Sequence, residues 1–184
     1  MLGKYEIVKW PAKVLETKAN DVDDFSDELR LIVKEMHLLI EKTRGIGLAA
    51  NQIGVLKRVL TINIPYTDED QKNEQSKEWW HDKAFTFINP VITLRSNDKI
   101  RAYEGCLSFP EVFDYVPRHS KVTVKAYDEL GKEFQVEADG LFAICLQHEI
   151  GHLDGIVFVR RMSRLKFNMI KKKMFRKQAI EQIA

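Results

Sequence analysis

His148-Glu149-Ile150-Gly151-His152 constrains this chain more than any other stretch. The pattern is H-E-x-x-H, and its chemistry needs a helix. Residues four apart on a helix lie about one turn on and roughly 40° around. Two imidazoles then aim at one point, as a metal ion requires, and the intervening glutamate can handle the protons of a water held there. Two histidines leave the coordination incomplete. The fold must therefore bring a third ligand to this helix.

Asp and Glu together number 27, so counting cannot exclude a carboxylate as that ligand. The chain has only two cysteines, Cys106 and Cys145. A lone cysteine is ordinarily a small buried hydrophobe. Cys145 fits that description, three residues before His148 and on the helical face of Leu141 and Ile144. Cys106 does not. It sits in Glu104-Gly105-Cys106-Leu107-Ser108-Phe109-Pro110, where Gly and Pro suggest a shaped turn that holds the thiol outward. A third segment, Gly45-Ile46-Gly47-Leu48-Ala49-Ala50-Asn51-Gln52, has two glycines spaced to let a backbone come close to a ligand. Taken alone it reads as a helix C-cap followed by a loop.

In this order, G-x-G-L-A-A-x-Q, E-G-C-L-S and Q-H-E-x-x-H resemble the three motifs of the peptide deformylases. The resemblance runs from about Tyr5 to the C-terminal helix and takes in Ile88-Asn89-Pro90 and Val116-Pro117-Arg118. It implies metal ligation by Cys106, His148 and His152, with a fourth position for water, the mark of a catalytic site. Iron(II) is the implied native metal; zinc, nickel or cobalt would also suit these donors. A divalent metal brings the pKa of bound water from 15.7 toward ~7. The implied reaction is attack of that activated water on the formyl group of the initiator methionine of a nascent polypeptide, releasing formate. Glu149 is the implied general base, then acid. The Gln52 amide and the Leu107 N–H are the implied oxyanion donors. The backbone of Ile46, Gly47 and Leu48 would add the peptide like a strand. Ile46, Leu141, Ile144 and Cys145 would line the methionine pocket, with Ala102 and Glu104 at its edge.

Two positions depart from the family pattern. Gly151 stands where Asp usually precedes the second histidine, which removes an acidic partner for a cation such as Arg118 and places a glycine inside a helix. Phe113 stands where many bacterial-type relatives carry Arg near the cleft mouth. A zinc peptidase of the H-E-x-x-H type is an alternative, but those take a His or Glu ligand downstream, and beyond His152 there is no histidine and only Glu181. A noncatalytic ribosome- or RNA-associated protein with a structural metal is a second alternative.

At 184 residues the chain suits one domain, 1–184, with a sizeable core. No apolar run approaches the length of a bilayer span, and the N-terminus lacks the apolar core of a signal peptide. Two distant cysteines argue against a disulfide framework and for a reducing cytoplasm, where a thiolate ligand survives. The net charge of +2 is uninformative, but its distribution is not. From Arg160 to Lys177 there are nine basic residues and no acidic one. Such a surface could meet RNA phosphates nonspecifically, as at a ribosome; nothing points to specific DNA.

The expected fold is α+β, a central metal-bearing helix wrapped by mainly antiparallel sheets, with an N-terminal and a C-terminal helix. Asp24 or Ser26 caps a helix to about Arg44 with Gly45 at its end, and Leu29, Ile32, Val33, Met36, Leu39 and Ile40 form its buried stripe. Strands are expected at 58–64 and 84–94, and a hairpin at 121–127 and 133–137. The metal-bearing helix opens at Asp139-Gly140 and stops near Gly155. The polar stretch 67–83, with Trp79 and Trp80, reads as a surface excursion. Ser163 caps the basic helix of about 160–184, whose docked stripe is Leu165, Met169, Ile170, Met174 and Ile180.

Overall fold

The computed structural model describes residues 3–64 and 84–181; the expected excursion with Trp79 and Trp80, and the side chain of Ile180, lie outside the described residues. Helix α1 (Asp27–Thr43) buries its whole expected stripe, from Leu29 to Ile40. Ser26 is its N-cap, and Asp27 and Glu28 place negative charge at the positive end of the helix. The left-handed residue that ends it is Arg44 (φ 54°), not Gly45, whose N–H instead reaches back to the Ile40 carbonyl.

Strands β1 (Gly47–Ala49), β2 (Val59–Ile62), β3 (Phe85–Arg95), β6 (Lys121–Tyr127) and β7 (Glu133–Asp139) form one antiparallel sheet in the order β1-β2-β3-β6-β7. Ile88-Asn89-Pro90 falls at a register shift in β3, a central strand. Proline cannot donate to a ladder, so a bulge is where it fits. Asn89 takes the positive φ there, and its side chain both accepts from the Val22 N–H and donates to the Val22 carbonyl, each at 2.8 Å.

Where only a turn is expected around Cys106, the chain forms a separate hairpin of β4 (Lys99–Cys106) and β5 (Phe109–His119). Its turn is two residues long, Leu107-Ser108, with Cys106 opposite Phe109. Helix α2 (Gly140–Leu153) packs on the five-stranded sheet through Phe142, Ala143, Cys145, Leu146, Ile150 and Leu153. It lies between that sheet and the hairpin, buried almost throughout.

Helix α3 (Arg164–Glu181) starts as expected, the Lys166 N–H donating to Ser163 Oγ at 3.3 Å. Its docked face differs from the expected one. Leu165 and Met169 are exposed, and Phe167, Ile170 and Met174 pack on the cluster around Trp10, Phe109 and Phe158. Trp10 draws the aromatic residues of this helix inward, its ring meeting Phe167 at 6.4 Å and Phe175 at 5.4 Å. Charges fasten the helix too: Lys166 pairs with Asp114 at 2.7 Å and Lys177 with Glu111 at 2.8 Å, both on β5.

Candidate metal centre

The i and i+4 positions of α2 place the His148 and His152 rings 5.0 Å apart on one side of a buried helix. The end of β4 brings the Cys106 Sγ to 3.2 Å from His152 Nε2. One donor atom from each of the three residues lies within 4.8 Å of the others, and this is the only such metal-capable group among the described residues. Both histidines are buried and Cys106 is half-buried, so the thiol is the most accessible of the three donor residues. A soft sulfur with two imidazoles suits a divalent transition metal, and three protein donors leave room for a further ligand.

A buried chain of charges stands behind the cluster. Arg118 donates to both oxygens of Glu104, at 2.7 and 2.8 Å, and through Nη1 to the Gln147 carbonyl at 3.3 Å. The Glu104 Oε2 in turn lies 2.7 Å from His148 Nδ1. That contact fixes the ring and leaves its Nε2 for the cluster, the usual way a carboxylate orients a ligating histidine. Burial alone would raise the Glu104 pKa, but its bonds to Arg118 and His148 outweigh that and hold it at about 2. For His148, burial works against the charged ring, yet bonds to Cys106 and Glu104 carry its pKa to about 10. His152 goes the other way, pushed well below its usual value by burial and then by the charge on His148. Gln147, next to the first histidine, ties α2 to the end of β5. Its amide donates to the His119 carbonyl at 2.9 Å and its oxygen accepts from the His119 N–H at 3.0 Å.

Glu149 is buried, and its Oε2 has no hydrogen-bond partner among the described residues. Burial first, and the nearby Glu104 charge after it, raise its pKa to about 7, against the lowering pull of His148. A carboxyl with that pKa takes and gives protons at neutral pH. Gly47 is why it fits. A Cβ there would lie 2.7 Å from Glu149 Oε1 and 2.6 Å from the Cys145 Sγ. The Gln52 Oε1 accepts from the Ala49 N–H at 2.9 Å, which turns its Nε2 toward Cys106 Sγ (3.5 Å) and Ser108 Oγ (3.3 Å). Leu107 follows Cys106 in the turn, so its N–H is held beside the cluster by the chain itself.

Strand β1 is an edge of its sheet, paired only with β2, and a face of it, at Gly47, lies against Cys145 and Glu149 of α2. α2 packs against β1, with the Cys145 Sγ 3.6 Å from the Ile46 carbonyl. Ile46 and Leu141 are exposed, Ile144 is half-buried and Cys145 is buried, an apolar set reaching from surface to core. Leu48 turns its side chain into the cluster under α1, so only its backbone is offered at the edge. Ala102 is buried. Glu104, expected at the edge of the methionine pocket, bonds through its carboxylate to Arg118 and His148. The Arg118 pair was invisible in the sequence: fourteen residues separate it from Glu104, and in the hairpin Arg118 lies opposite Ile100 and Glu104 opposite Asp114, so the long guanidinium side chain reaches along the ladder to the carboxylate.

Comparison with known proteins gives one consistent result. The family model of the polypeptide deformylases matches residues 4–168. The peptide deformylase of Neisseria gonorrhoeae is 40% identical over 172 residues, covering 94% of this chain and 95% of that protein. The crystal structure of peptide deformylase from Ehrlichia chaffeensis superposes with a TM-score of 0.86 at 36% identity, over 97% of this chain and 98% of that one. That of Legionella pneumophila gives 0.81 at 34% identity, over 97% of each chain.

Proposed function

The chain belongs to the peptide deformylase family, metal-dependent hydrolases that remove the formyl group from nascent polypeptides, and on that premise we propose the part each of its residues plays. Cys106, His148 and His152 hold one divalent metal, iron(II) in the native protein, with zinc, nickel or cobalt as substitutes. The observation that carries this assignment is the convergence of sulfur and two imidazoles within 4.8 Å beside a buried carboxylate oxygen with no partner. Bound there, the metal supplies a Lewis acid that polarises the formyl carbonyl and lowers the pKa of water toward ~7.

The protein's own groups do the rest. Glu149 takes the proton of the attacking water on its free Oε2 and passes it to the departing amine nitrogen, which must be protonated to leave. Its pKa of about 7 suits both transfers. The Gln52 Nε2 and the Leu107 N–H donate to the oxygen on which negative charge develops, an interaction worth about 2.7–4 kcal/mol per donor in other enzymes. The peptide backbone pairs with the open edge of β1 at Ile46, Gly47 and Leu48, where glycine permits close approach. The methionine side chain enters between Ile46, Leu141, Ile144 and Cys145, with Ala102 at the boundary. Glu104 and Arg118 hold His148 in place.

The residues from 1 to 184 act as one catalytic domain with the basic helix as its C-terminal part. The nascent formyl-methionyl chain is the substrate partner, and the exposed basic residues between Arg160 and Lys177 suit contact with ribosomal RNA. Among the described residues no helix is long and apolar enough to cross a membrane. Cytoplasm is the compartment that fits a thiolate ligand. A formate-release assay on a formyl-Met peptide tests the assignment. Glu149→Gln should keep the metal and lose at least about 100-fold in kcat. A Glu149→Gln protein of ordinary activity removes the proposed base.

A further inference from the structure

Three consecutive N-terminal residues tie down both segments that carry the oxyanion donors. The Val8 N–H donates to the Gln52 carbonyl at 2.7 Å, and the Trp10 N–H to the Ser108 carbonyl at 3.0 Å. Between them the Lys9 ammonium donates to the Leu107 carbonyl at 2.7 Å. The turn they grip is unusual. Two-residue hairpin loops normally have positive φ at one or both residues, because that twist matches the flanking strands. Neither Leu107 nor Ser108 has a positive φ. The ladder register also shifts between Gly105 and Cys106, directly before the turn. The backbone preference that usually holds so short a loop is therefore missing, and external bonds replace it. Both carbonyls of the turn are taken, by Lys9 and by the Trp10 N–H. The Leu107 side chain is held as well, half-buried against the apolar cluster under α1.

We propose that Lys9 is a positioning residue for deformylation. With the flanking amides of Val8 and Trp10 it sets the spacing between the Gln52 amide and the Leu107 N–H. This rests on the oxyanion roles given to those two donors above. Lys9 acts only through Leu107: the two peptide planes that carry its N–H and its carbonyl meet at one Cα, so anchoring the carbonyl fixes that Cα and narrows the range open to the N–H before it. A donor stabilises the oxyanion only if it already points to where that charge will form. The bond is charge-assisted, and so stronger than a neutral one. It is also the only one of the three made by a side chain, so substitution can remove it alone.

The test compares Lys9→Met, which keeps chain length and loses the ammonium, with Lys9→Arg, which restores a cationic donor. Lys9→Met should lower kcat about tenfold, leave KM within about twofold and be largely recovered by Lys9→Arg. Amide hydrogen exchange should quicken at 105–109 and not along Gly140–Leu153, which separates loosening of the turn from general instability. Gln52→Glu serves as the control, since it keeps an oxygen for the Ala49 N–H and loses the donor. Ordinary kcat in Lys9→Met with an impaired Gln52→Glu overturns the role of Lys9 alone. Ordinary kcat in both overturns the donor assignment beneath it. A loss that Lys9→Arg does not recover, one that falls on KM, or unchanged exchange at 105–109 also overturns the proposal.

Discussion

Replacing Gly47 by alanine tests the packing of the centre with one methyl group. The added Cβ would meet the Cys145 Sγ at 2.6 Å and Glu149 Oε1 at 2.7 Å, where ordinary contact begins at 3.4 Å. Each neighbour must retreat by roughly 0.7–0.8 Å, or β1 must move out by a similar distance. Cys145 and Glu149 are both buried on α2, and Cys145 belongs to the cluster that packs the helix on the sheet. Overpacking of this kind costs about 1–3 kcal/mol of stability. The larger effect falls on catalysis, because the displaced group is the proposed base, and a misplacement near 1 Å costs roughly 100-fold in rate. Formate release from a formyl-Met peptide, thermal unfolding and metal content on the same preparations make the assay. The expected result is a loss near 100-fold in kcat, a lower Tm and a metal content close to one per chain. Adding Cys145→Ala should recover the Tm more than the kcat, since it relieves the sulfur contact and leaves the carboxylate contact. A Gly47→Ala enzyme with ordinary kcat and Tm would refute the close approach of β1 to α2.

Other substitutions probe other parts. Glu104 has its folded pKa depressed from 4.5 to about 2, so it stabilises the fold above pH 4.5 and that stability is lost as pH falls toward 2. Glu104→Gln should therefore lower stability at neutral pH by an amount on the order of 3 kcal/mol, shrinking toward pH 2, and weaken metal binding about 10- to 100-fold. A stability difference that does not change with pH would count against the Arg118–Glu104–His148 chain. Gly151→Asp should raise Tm or metal retention chiefly through an ion pair, since helix propensity returns only about 0.3 kcal/mol and the new Cβ must press against the Ile156 carbonyl oxygen 3.1 Å away. The Arg161 Nη2 lies 4.0 Å from the new Cβ, which makes Arg161 rather than Arg118 the partner, and no change in either quantity would end that account. Phe113, which stacks on Tyr103 at 6.1 Å and covers Gly105, should matter only for longer substrates. Phe113→Ala is expected to alter kcat/KM for formyl-Met tetrapeptides and leave a formyl-Met dipeptide unaffected; equal effects on both would contradict this.

The parts of the fold legible in the sequence are those with a local cause. The stripe of α1 repeats at helical spacing, the β6–β7 hairpin alternates around a turn, and Ser163 precedes its helix as a cap. H-E-x-x-H carries its own geometry, so the convergence of His148 and His152 could be read without any structure. The β4–β5 hairpin could not. Gly105, Pro110 and Pro117 interrupt its strand pattern, and its exposed face carries Tyr103, Phe113 and Tyr115 instead of polar residues, which hides the alternation. The end of α1 at Arg44 was legible, but not that Arg44 itself takes the left-handed position that glycine usually fills. The docked face of α3 was legible at Ile170 and Met174 but not at Leu165 and Met169, which are exposed, nor at Phe167, which Trp10, distant in sequence, meets instead. Glu104 with Arg118, and Lys9 with Leu107, are contacts of tertiary register, for which no local pattern exists.

The central claim is that one metal is held by one sulfur and two imidazole nitrogens. X-ray absorption at the metal edge of anaerobically purified protein tests it most directly. The spectrum should fit one sulfur at about 2.3 Å and two nitrogens at about 2.0–2.1 Å, with the sulfur shell absent in Cys106→Ser. A first shell of oxygen and nitrogen alone in the unaltered protein, or a sulfur shell that survives Cys106→Ser, would contradict it.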